Sequence, residues 1–163
     1  MAGPYTRILA NYGGIARTSE FYAGGMTREL LRIPWLYGKI RHIRHGWWAS
    51  WDVPEPAIAA RVVGGRLACV SALAHHGLVP EPPELHVEVK AHSSRLRDIP
   101  GRRVVVHWAR RPVGGDRQAV SAATAYRQAA ACSIPNMAAQ AGMAGMAGLA
   151  GMAGPAGMAG LAG

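Results

Sequence analysis

The side chains best placed to do chemistry in this chain are cations and the hydroxyls beside them. One set runs Lys39-Ile40-Arg41-His42-Ile43-Arg44-His45, preceded by Arg28 and Arg32; a second comprises His92-Ser93-Ser94-Arg95-Leu96-Arg97 with the later Arg102-Arg103 and Arg110-Arg111. A guanidinium fork pairs bidentately with phosphate oxygens and with the acceptor edge of guanine, and serine hydroxyls donate to phosphate. Residues of this type therefore suit a polyanion. The plainer alternative is a solvated, charged surface that serves solubility alone.

Other chemistries find less support. His75-His76 would point about 100° apart on a helix and cannot easily converge on one ion. Cys69 and Cys132 are too few and too far apart along the chain to suggest a disulfide framework or a tetrahedral zinc site. Ser71 lacks a nucleophile elbow, neither cysteine has a histidine in an activating pattern, and no Walker loop is present. Glu81, Glu84 and Glu88 are spread through a Pro-rich turn and a strand, which is not the clustered carboxylate set of a metal-dependent nuclease. The expectation is a protein without catalytic residues, metal or cofactor, and hence not an enzyme.

The elements that must position the cations follow from local signals. Pro4 opens a first helix over Tyr5 to Tyr12, with Ile8, Leu9 and Tyr12 on one face. Thr18 and Ser19 can cap a short helix that ends at Gly24-Gly25, and Thr27 can cap a second one beginning Arg28-Glu29. Pro34 should kink or end that helix near Ile33, leaving Trp35, Leu36 and Tyr37 to close the core. The basic run to Trp48 then reads as a strand turning at Gly46, so that a helix, a Gly turn, a second helix and a basic hairpin succeed one another. That order is the layout of a winged helix-turn-helix. Pro54 and Pro56 mark a boundary. Beyond it, Ala57 to Val63 and Ala68 to His76 suggest two helices, and Leu85 to Lys90 and Arg103 to Trp108 two neighbouring strands. Arg117 to Ala131 suggests a final helix.

With 163 residues and 50% apolar composition the chain can build a packed core. Lys and Arg number 18 against 9 Asp and Glu, and the pI near 10.6 belongs with chains that meet polyanions. All but two of those cations are arginine. No charged residue follows Arg127, and from Gly142 to Gly163 glycine returns at every third position. A single proline in that run gives little triple-helical pre-organisation, so a flexible tail is expected, with collagen-like association as the alternative. The N-terminal residues carry no secretion signal and the tail is a poor transmembrane span, which points to the cytoplasm and to no membrane partner. The expected class is α+β: a winged helix-turn-helix over 1–53, a small α/β domain with a second basic arm over 54–134, and a Gly-rich low-complexity tail over 135–163.

The order GGIARTSEFYAGGMTRELL, IRHIRHGWWA, GGRLACVSALAHHGL, LHVEVK and VVVHW resembles the actinobacterial proteins that share the AbiEi-type antitoxin winged-helix region. Within that group the arm KAHSSRLR before a VVVHW strand is most similar to the immunity repressors of temperate mycobacteriophages. The resemblance covers roughly Tyr5 to Arg127. It implies a repressor that binds specific double-stranded DNA, with Thr27, Arg28 and Arg32 on the recognition element. Arg41, Arg44 and His45 would then belong to the wing, which the basic run itself extends to Lys39, and Ser93, Ser94, Arg95 and Arg97 to a second contact arm. An antitoxin that regulates its own promoter and counters a nucleotidyltransferase-like toxin is the alternative, and a structural protein acting through the tail is a third. The oligomeric state is left open, with a monomer the simpler expectation.

Overall fold

A computed structural model describes residues 3–111 and 113–132; the tail expected over 135–163 lies outside them. The described residues form a mixed α+β protein with six helices and two three-stranded sheets.

The first half runs α1 (Pro4–Asn11), β1 (Ile15–Arg17), α2 (Thr18–Ala23), α3 (Arg28–Leu36), β2 (Arg41–Arg44) and β3 (Trp47–Ala49). Its sheet has the order β1-β3-β2, antiparallel throughout. Ile8, Leu9, Ala16, Phe21, Met26, Leu31 and Ile40 form its buried core. Thr27 caps α3 as expected, its Oγ1 accepting from the Leu30 N–H at 3.3 Å. Thr18 does not cap. Its hydroxyl instead accepts from Trp48 Nε1 at 2.8 Å, and the Arg17 N–H at the start of α2 is taken by Glu20 at 2.7 Å.

Pro34 neither ends nor breaks α3, which continues to Leu36. So near the C-terminus the missing N–H removes a single helical bond, and the Pro34 carbonyl still accepts from Lys39 N at 2.7 Å. Trp35, Leu36 and Tyr37 do not close the core either, because they are exposed; Trp35 makes an edge contact with Trp48, 6.4 Å between centroids.

The second half comprises α4 (Glu55–Val63), β4 (Arg66–Leu67), α5 (Cys69–His75), β5 (Leu85–Lys90), β6 (Val104–Ala109) and α6 (Ala122–Ala131). Its sheet has the order β4-β5-β6; β4 pairs antiparallel with β5, and β5 and β6 are parallel, as the crossover length between them permits. The final helix starts at Ala122, not Arg117. Residues 117–120 are drawn into extended pairing with β4, where Leu67 N donates to Gln118 O and Val120 N to Leu67 O.

A second buried cluster crosses the prolines at 54 and 56. Ile15, Ala49 and Val53 from the first half are buried in one cluster with Ala57, Leu67, Leu73, Val87 and Val120 from the second. Polar links reinforce this: Arg117 reaches Glu20 and the Ile15 carbonyl, and Gln118 Nε2 donates to Gly13 O at 2.6 Å.

Candidate functional site

The hairpin β2–β3 turns through Gly46, whose φ of 77° is a conformation that a side chain disfavours. A bulge between His42 and Arg44 breaks the alternation, which is why Ile40 and Ile43 do not keep a strict two-residue period. The bulge also sends the two arginines of the hairpin to different tasks. Arg41 is turned inward: it pairs with Glu55, donates to Val53 O at 2.7 Å and lies over Trp51. It therefore clasps the hairpin to the start of α4 and is not a free phosphate donor. Arg44 spans to the other half, donating to Val62 O and Arg95 O at 3.3 Å each.

Through Arg44 the hairpin and the arm 91–98 become neighbours. The Arg97 N–H donates to Val63 O at 3.1 Å, and its guanidinium lies close enough to add to the burial that lowers the pKa of Arg44 and of His42. Arg95, Arg97 and Ser94 are exposed, as is His45. Arg28, Arg32 and Lys39 are exposed too, on α3 and the turn after it, and like Ser94, Arg95 and Arg97 they do not line the cleft beside the hairpin. On α3 Arg28 and Arg32 share the exterior with Leu30, Ile33 and Leu36, and Tyr37 follows at the helix end.

Between the hairpin and the carboxyl ends of β5 and β6 lies an open cleft of about 1200 Å³. The carboxyl ends of parallel strands are a common place for ligands in α/β sheets. Arg17, Arg44, Arg61, Arg66, Lys90, Arg110, Arg111 and Arg117 line it, with His45, His92 and Ser93, against only Glu88 and Asp116. Trp47 also lines it and gathers three of these arginines. The guanidinium carbons of Arg61, Arg17 and Arg117 sit 4.3, 4.8 and 5.8 Å from its ring centroid, where the electron-rich face offsets part of their mutual repulsion. Burial, then Arg117, Arg17, Arg66 and Arg44 in turn, pull Arg61 down to about 10, so it stays charged at neutral pH. Its Nη2 donates to Arg117 O at 2.6 Å, while its Nε is buried without a partner. Glu88 pairs with Arg66 and Glu20 with Arg117, so an anion entering the cleft would meet the field of the remaining cations.

Arg17, Arg61, Arg66 and Arg117 stand alone in the sequence, far from the two basic runs, so no local pattern marks them as lining residues. Arg102 and Arg103, by contrast, are engaged by Glu81 at 2.9 Å and Glu84 at 2.8 Å. His75 and His76 form an edge-on pair, and His76 Nε2 meets Val120 O at 2.8 Å, so neither ring is directed to an ion.

Separation along the chain does not keep the cysteines apart. Cys69 at the start of α5, His86 on β5, His107 on β6 and Cys132 at the end of α6 bring two thiols and two imidazoles together, each ligand atom within 4.8 Å of the others. His86 Nδ1 and His107 Nε2 are 3.1 Å apart, and Cys132 Sγ is 3.7 Å from His107 Nε2. Parallel register explains the imidazoles: His86 and Glu88 share one face of β5, and His107 lies beside Glu88 on the same face. Burial pushes the Cys69 thiol up to about 12 and lowers both imidazoles, His86 to about 4, which keeps the rings neutral. Cys69 and Cys132 stand at helix ends and His86 and His107 on the two parallel strands, so no local pattern in the sequence marks the four as a set. The set becomes visible only once the strands are paired and the helices docked.

Comparison with known protein families and with curated proteins finds no match to this chain.

Proposed function

We propose that this chain is a sequence-specific double-stranded DNA-binding repressor, of the kind that maintains phage or prophage immunity in the cytoplasm. The observation that carries this reading is the junction made by Arg44. It sets the basic hairpin against the arm bearing Ser93, Ser94, Arg95 and Arg97, beside a cleft that Ser93 helps to line and in which cations outnumber carboxylates. In this reading α2, the Gly turn and α3 form the helix-turn-helix, and β2–β3 is the wing. The order of elements and the three-stranded β1-β3-β2 sheet support it. Arg28 and Arg32 would meet base edges, with Leu30 and Ile33 available to thymine methyl groups, while wing and arm hold phosphates. A bound protein excludes polymerase from the promoter, and no chemical step is required.

Capture of genomic fragments by the full chain, followed by sequencing, tests the proposal and finds the site. One enriched motif is expected, and its affinity should fall with salt along a log–log slope near −5 if about six phosphates are neutralised. Recovery without sequence preference and without salt dependence would overturn it.

One observation favours the antitoxin reading. The exposed ridge Leu30, Ile33, Leu36 and Tyr37 on α3 is more apolar than a surface that meets only DNA requires. Leu36→Asp should then abolish neutralisation of a partner toxin while operator binding persists.

A further inference from the structure

We propose that Cys69, His86, His107 and Cys132 form a tetrahedral Cys2His2 site for a structural zinc ion. The proposal does not depend on the reading as a DNA-binding repressor.

The spacing of the four groups suits the ion. With zinc–sulfur bonds of ~2.3 Å and zinc–nitrogen bonds of ~2.0 Å, the edges of a tetrahedron run from roughly 3.3 Å between nitrogens to roughly 3.8 Å between sulfurs. The His86 to His107 separation of 3.1 Å and the Cys132 to His107 separation of 3.7 Å are close to those edges. Both cysteines are free, so a disulfide does not account for the gathering. Two thiols and two imidazoles are the donor set that selects zinc over harder cations, and four protein ligands leave no open position for catalysis. Zinc would bind as the two thiols release their protons to solvent; two thiolates then balance the divalent charge, which makes a neutral centre acceptable in the interior.

The surroundings hold the donors in place. His86 Nε2, the nitrogen facing away from His107, lies 3.8 Å from Glu84 Oε2, in the direction of an outer carboxylate that orients a ligating imidazole. The His86 backbone N–H is fixed by Ser71 Oγ at 2.9 Å. Gln128 accepts from the Cys69 N–H at 2.9 Å and donates to Glu88 at 2.8 Å, and Glu88 is in turn held by Arg66. Cys69 itself has φ of 50°, a left-handed conformation that an ordinary side chain adopts only where the surroundings enforce it. The four ligands come from α5, β5, β6 and α6, so one ion would tie both helices to the parallel strand pair.

The full chain, purified under reducing conditions from zinc-supplemented culture, should carry one zinc per chain by elemental analysis. Its thiols should react with a disulfide reagent only after a strong chelator removes the metal. Cobalt added to the stripped protein should give the visible bands of a tetrahedral ion and a thiolate charge-transfer band. Cys132→Ser, at a half-buried position, should lose the charge-transfer intensity of one thiolate. Gln128→Ala, which keeps all four ligands, should weaken zinc binding by about 10-fold. If a soluble Cys132→Ser variant misfolds, the wild-type measurements decide alone. Substoichiometric zinc with no cobalt charge-transfer band in the wild-type chain overturns the proposal, as does a folded Cys132→Ser variant whose cobalt spectrum is unchanged.

Discussion

Arg117 closes the molecule on itself. Its guanidinium makes a bidentate pair with Glu20, at 2.5 and 2.6 Å, donates to Ile15 O at 3.1 Å and stacks on Tyr12. Both partners are mostly shielded from water, so Arg117→Ala should cost about 2 kcal/mol, measured by chemical denaturation. The pH dependence has a definite sign. Hydrogen bonds from Arg117 are the chief cause that holds the Glu20 carboxyl below its ordinary 4.5. Because the folded value lies below the unfolded one, the stability Glu20 contributes is complete above 4.5 and is lost as pH falls through the depressed value. Acid titration of stability should therefore be steeper below 4.5 in the wild type than in Arg117→Ala. At the proposed interface, Arg28→Ala should cost roughly 1 to 3 kcal/mol on the specific DNA site and little on random DNA, measured by competition binding. An unchanged specificity ratio would remove α3 from the recognition role.

At the scale of elements, short strands depend on close approach of backbones. Gly65, between α4 and β4, is buried where any Cβ would overlap the Glu88 carbonyl and press on Val87 of β5. Gly65→Ala should therefore lower stability by about 2 to 3 kcal/mol, because backbone cannot yield as a flexible side chain does. A change below ~0.5 kcal/mol would mean that β4 shifts freely against β5. The hairpin works differently. Its bulge frees Arg44 to reach Val62 and Arg95 while Arg41 stays paired with Glu55. Arg41→Ala should accordingly reduce stability more than DNA affinity, and Arg44→Ala should reduce affinity for specific and random DNA alike.

Across the whole molecule, the buried cluster running from Ile15 and Ala49 to Val87 and Val120 makes the halves interdependent. Residues 1–54 alone would expose Ile15, Ala49 and Val53 and would leave Glu20 without Arg117. That fragment should show no cooperative unfolding transition, whereas the full chain should unfold in a single one, by circular dichroism in urea. A fragment that melts cooperatively would show the seven-residue cluster around Phe21 to be a sufficient core.

Much of the local structure is legible in the sequence, because caps, turns and periodicity act within a few residues. Pro4, Thr27, Gly24-Gly25 and Gly46 mark element ends that the fold keeps, and the alternation in LHVEVK and the β-branched run in RVVVHW find both long strands. Two-residue and three-residue strands such as β4 and β1 escape, since so short a run carries no period and exists only by pairing. The two basic runs are visible as composition. What Arg41 and Arg44 each do is not, because partners 14 and 51 positions away decide it. The same holds for the cleft and for the thiol–imidazole cluster, whose members come from four separate elements. Sequence by itself determined which residues were available, while tertiary packing alone decided which would meet, because convergence of distant side chains depends on strand register and helix docking.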